Sequence, residues 1–145
     1  MDWYRKRTLG SILDDAAARW GAREAFSFND QRWTYAQFNH ETNRVAKGLI
    51  ALGVQPREHV ALWMTNRPEW LFLMFAIARV GGCIVPLNTR YRTDDVAYTV
   101  TQSRSGTLIS LDRSGPVDYQ GMLMESMPSI ERTADGLTVA NYPDL

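Results

Sequence analysis

Apolar residues in the first third of the chain recur with helical spacing. Leu9, Ile12, Leu13, Ala16, Ala17 and Trp20 share one face, with Asp14, Asp15 and Arg19 opposite, which predicts an amphipathic helix over 8–20. Thr8 can cap its start, and Gly21 can end it in the left-handed conformation. Two short runs, 25–28 and 32–35, flank Asn29 and Asp30, polar residues that tolerate turn geometry, so a β-hairpin is expected. A second amphipathic helix is predicted over 34–52. Thr34 and Gln37 have capping-box spacing, Phe38, Val45, Ala46, Leu49 and Ile50 form the apolar stripe, and Gly53 closes the helix.

The pattern then changes character. His59, Val60, Ala61, Leu62, Trp63 and Met64 form a nearly continuous apolar run, as expected of a strand covered on both faces. A helix start follows, with Asn66 as cap, Pro68 in the first turn and Glu69 near the positive end of the dipole. Over 70–80 that helix is apolar almost all round, so it should be buried on more than one side. Gly81 and Gly82 end it, and 83–87 reads as a second buried strand. Thr93, Asp94 and Asp95 cap a third helix to about residue 102, and 107–111 is a third strand. Three strands alternating with two helices imply right-handed crossovers and a parallel sheet. The fold class is therefore α/β, a mostly parallel sheet with flanking helices plus an N-terminal helix and hairpin.

The expected organisation is a helix and hairpin over 1–35, a helix and βαβαβ core over 34–111, and a less regular tail over 112–145 with one short helix at 119–126. No internal repeat or low-complexity segment interrupts it. With 145 residues, 45% of them apolar and 11% aromatic, the chain can bury a sizeable core. Sixteen basic residues balance sixteen acidic ones, which leaves no electrostatic footprint for nucleic acid or anionic lipid. The lone Cys83 cannot form an internal disulfide, and His40 and His59 belong to no Cys/His cluster. No apolar run follows the basic residues at the N-terminus, so no secretory signal is read there and the cytosol is the expected compartment. The stretch 70–87 is interrupted by Arg79, Gly81, Gly82 and Pro86, too soon for the ~20 apolar residues of a membrane span.

Most catalytic signatures are missing. No glycine-rich dinucleotide or phosphate loop, nucleophile elbow, HExxH or CxxC occurs, and Lys6 and Lys47 lie near no glycine-rich loop. Asp14-Asp15 and Asp94-Asp95 are read as acids in or near a first helical turn, where the dipole favours them. His40 on a polar helix face and His59 at a strand start have no evident catalytic partner, and Cys83 is read as packing. Ligands of α/β sheets sit beyond the carboxyl ends of the strands. That rule singles out Asn66 and Arg67, then Asn88, Arg90, Tyr91 and Arg92, then Arg113. Of these, Asn88, Arg90 and Arg113 are the candidates for holding a cofactor's phosphate or carboxylate. The competing reading is that the asparagines cap a helix or shape a turn and the arginines solvate the surface.

Five segments in order carry a resemblance: TLGSILDDAAARWG at 8–21, WTYAQFNHETNRVAKGLIALGV at 33–54, NRPEW at 66–70, GGCIVPLNTRY at 81–91 and DDVAY at 94–98. Together they resemble the N-terminal part of the adenylate-forming enzymes, which include acyl-CoA synthetases, luciferases and peptide-synthetase adenylation domains. The PLNTR form looks most like fatty-acyl or aryl-CoA ligases. The resemblance implies part of a large adenylating domain. It also implies a parent enzyme that uses ATP and Mg²⁺ to activate a carboxylic acid and then passes the acyl group to CoA. The nucleotide motifs of such enzymes lie later than residue 145, so no catalytic residue and no metal ligand carries over.

The expectation is an N-terminal portion of an acyl-CoA synthetase that is inactive alone, with Tyr142, Pro143, Asp144 and Leu145 leading toward a further strand. The alternative is a stand-alone module that binds CoA, an acyl chain or another protein without catalysis. An apolar helix at 70–80 lacking part of its cover would also favour self-association.

Overall fold

In the computed structural model, the described residues are 7–127 together with the strands at 130–133 and 136–139. They form two compact units that alternate along the chain, one from residues 1–57 and 66–83, the other from 58–65 and 84–145.

The first unit contains α1 (Leu9–Trp20), β1 (Glu24–Phe28), β2 (Gln31–Thr34), α2 (Tyr35–Ala51) and α3 (Pro68–Arg79). Thr8 precedes α1, and its N–H donates to the Ser11 hydroxyl at 3.3 Å. Gly21 follows with φ −46°, a right-handed helical value, and not in the left-handed conformation expected. The chain turns there through other bonds: the Arg23 N–H donates to the Trp20 carbonyl and the Ala36 N–H to the Gly21 carbonyl. The first turn of α1 holds no acid, so Asp14 and Asp15 are not dipole partners. They pair instead with Arg79 at 3.1 Å and Arg7 at 3.4 Å.

β1 and β2 form the expected antiparallel hairpin, with Asn29 at φ 51° in its turn. Phe26 stacks on Trp33 at 4.9 Å, and both rings meet Phe72 beside the buried Leu13 and Phe38. α2 has the predicted capping box, Gln37 N–H to Thr34 Oγ1 at 3.2 Å and Thr34 N–H to Gln37 Oε1 at 2.9 Å. It ends as predicted at Gly53, whose φ of 94° suits glycine, while Val54 N–H reaches back to the Leu49 carbonyl. Its buried face is Phe38, Thr42, Ala46 and Leu49; Ile50, assigned to the stripe, is 63% exposed. One residue is a ~100° rotation about the axis, enough to carry Ile50 off a stripe centred on Leu49.

α3 is capped by the extended backbone of Arg67, with Pro68 as its first residue, so Asn66 lies one position too early to be the cap. Gly81 at φ 84° ends it, with Gly82 N–H on the Ile77 carbonyl. The large exposed apolar residues lie elsewhere, on α1 (Leu9, Ile12, Trp20), near the end of α2 (Ile50, Leu52), and at Phe28, Tyr98 and Met124.

The second unit is built on β3 (His59–Trp63), β4 (Cys83–Pro86) and β5 (Ser105–Ser110), in the order β4-β3-β5. β3 and β5 are parallel, with Ala61 opposite Leu108. Val60, Ala61, Leu62 and Trp63 are all fully buried, as a strand covered on both faces requires. β4 departs from the expectation. It is half-buried, with Cys83 exposed, because it lies at the edge of the three strands and not between two others. Trp63, Leu87, Val96, Val100, Tyr119 and Met127 form the core of this unit.

α4 (Thr93–Ser103) begins one residue earlier than expected: Arg92 is its cap, and the Arg92 N–H donates to Asp95 Oδ2 at 2.9 Å. Beyond β5 come a short antiparallel pair, β6 (Arg113–Ser114) and β7 (Val117–Asp118), and then α5 (Tyr119–Ser126), the short helix that was expected. A last hairpin, β8 (Ile130–Thr133) and β9 (Gly136–Val139), was not anticipated, and neither was β6–β7. The strand approach read at 142–145 lies outside the described residues. Among the described residues no helix is long and apolar enough to cross a membrane.

Candidate functional site

The loops beyond the strand ends of the second unit hold most of the singled-out residues, and the structure accounts for their side chains one by one. Asn88 follows β4. Its Oδ1 accepts the Arg90 N–H at 2.9 Å, an Asx turn, while its carbonyl accepts the indole N–H of Trp63 at 3.1 Å. Trp63 in turn meets Tyr119 edge-on at 4.7 Å, so the loop is moored to the core. Tyr91 packs half-buried against the same core, and Arg92 caps α4 through its backbone N–H alone, its exposed guanidinium having no partner among the described residues. After β5, Arg113 Nη2 donates to Asp118 Oδ2 at 2.7 Å, and the other carboxylate oxygen of Asp118 caps α5 through the Gly121 N–H at 2.9 Å. Asn88 and Arg113 thus shape their own loops. Arg90 is exposed, and among the described residues its guanidinium has no partner.

In the first unit, Asn66 is exposed and Arg67 holds Glu69 through two bonds of 2.8 and 3.3 Å. The Arg67 hydrogen bond is the main reason that the Glu69 carboxyl titrates below its ordinary value; partial burial works the other way. His59, read as lacking a partner, is bonded through Nδ1 to the Ser103 carbonyl, a contact that joins β3 to the end of α4. His40 is exposed on α2.

Among the described residues no group of three or more His, Cys, Asp or Glu side chains could hold a metal ion.

Two features escaped the sequence pattern. The first is Arg79, which appeared only as an interruption of an apolar stretch. Its guanidinium donates to the Gly10 carbonyl, Asn43 Oδ1, Asp14 Oδ1 and Asn39 Oδ1 at 2.6–3.1 Å. A lone charge within the apolar stretch 70–80 is itself a signal, since such a group is rarely buried unpaired. The second is a pair of cavities. One, of about 310 Å³, is walled by α1, the start of α2 and Phe75 of α3; the other, of about 340 Å³, lies between the hairpin and the start of α3.

The profile of the AMP-binding enzyme family matches residues 13–142, and the chain belongs to that family. Among relatives, YngI of Bacillus subtilis (strain 168) is 33% identical over 141 residues, 95% of this chain and 26% of that protein. Crotonobetaine/carnitine–CoA ligase of Proteus mirabilis (strain HI4320) is 30% identical over 128 residues, 85% of this chain and 24% of the ligase. Among solved structures, the N-terminal domain of FACL13 from Mycobacterium tuberculosis superposes with a TM-score of 0.74 at 30% identity, covering 90% of this chain and 31% of that domain. The chain thus spans about a quarter of the length of the curated relatives it matches. It is similar to part of proteins named as acyl-CoA synthetases and CoA ligases and to solved N-terminal domains of a fatty acyl-CoA synthetase.

Proposed function

We infer that this chain is the N-terminal wall of the adenylating domain of a cytosolic, ATP-dependent acyl-CoA synthetase, and that alone it neither adenylates an acid nor hydrolyses ATP. The family match over 13–142, with relatives about four times as long, carries this reading. In the parent reaction a carboxylate oxygen attacks the α-phosphorus of ATP and pyrophosphate leaves. The thiol of CoA then attacks the acyl carbonyl and AMP leaves. Both steps place charge on phosphate oxygens, which needs several fixed cations or N–H donors around one point. Among the described strand-end residues Arg90 and Arg92 have guanidiniums free to meet an anion, while Asn88 and Arg113 are committed to their loops. Two unengaged arginines on one exposed loop are too little to cradle a triphosphate.

Acid-dependent ATP–pyrophosphate exchange tests the reading in two arms. The 145-residue chain with a panel of fatty and aryl acids is expected to read background. The same chain, grafted in place of the matching segment of a fatty acyl-CoA synthetase, is expected to support exchange. Exchange by the chain alone contradicts the scaffold role, and a well-folded graft without activity contradicts the family role.

A further inference from the structure

We draw no further inference here: the strongest candidate, the cavity of about 340 Å³ between the hairpin and the start of α3, lined by Phe26, Phe28, Trp70 and Leu71, is an apolar groove on one wall of a larger domain, and nothing in the structure shows what covers it.

Discussion

Arg79 ties three helices together. From α3 it reaches the Gly10 carbonyl and Asp14 of α1 and the side chains of Asn39 and Asn43 on α2. Its side chain is only 16% exposed, so its loss removes a largely buried cation and leaves the part-buried Gly10 carbonyl and Asn39 without it, while Asp14 and Asn43 keep access to water. Arg79→Ala should destabilise the fold by ~2–4 kcal/mol in a denaturant titration. Arg79→Lys should recover only part of that, because an ammonium cannot reproduce the planar fork. Gly10 belongs to the same junction: a Cβ there would lie 2.8 Å from the Ala78 carbonyl oxygen. None of this was legible along the chain, because the partners are 36–69 residues from Arg79 and no local spacing connects them. Glu69 offers a pH test at the same scale. Its folded-state value is lowered, so its contribution is present above the ordinary value of 4.5 and disappears as pH falls through the lower folded value. Because its side chain is 53% exposed, water screens the pair and the effect is small. Glu69→Gln should remove that acid-side slope, leaving the variant slightly less stable than the parent near neutral pH and equal to it once Glu69 is protonated.

Helix and strand positions were the readable part of this protein, and the reasons are local. A capping residue, an apolar period and a terminal glycine all lie within a few positions of one another, so α2 and the end of α3 could be placed from the sequence. Thr34→Ala should cost about 1 kcal/mol, measured by thermal or denaturant unfolding, because it leaves the Gln37 N–H unsatisfied at the start of α2. Thr34→Asp should retain most of that stability. Burial was less legible than periodicity. The run at 83–87 is as apolar as that at 59–64, yet β4 sits at the edge of three strands while β3 lies between two. Strand order is decided by pairings across the chain, which composition does not encode. The acids of α1 show the same limit: position in the sequence suggested a dipole role, and tertiary partners, Arg7 and Arg79, supplied the actual one.

At the scale of the whole molecule, the chain alternates between two compact units, crossing from one to the other near residues 57, 65 and 83. Membership in the AMP-binding enzyme family was legible because five short segments kept their order and spacing. The strand-end candidates were legible as residue types but not as roles. An asparagine that shapes a turn and one that holds a phosphate look alike until their hydrogen bonds are known. Asn88 and Arg113 proved to be engaged in their own loops, and Arg90 is the one of the three without a side-chain partner among the described residues. The measurement that bears most directly on the account is acid-dependent ATP–pyrophosphate exchange by the purified 145-residue chain. Background exchange across fatty and aryl acids is the predicted result; exchange that rises with one acid and saturates would contradict it.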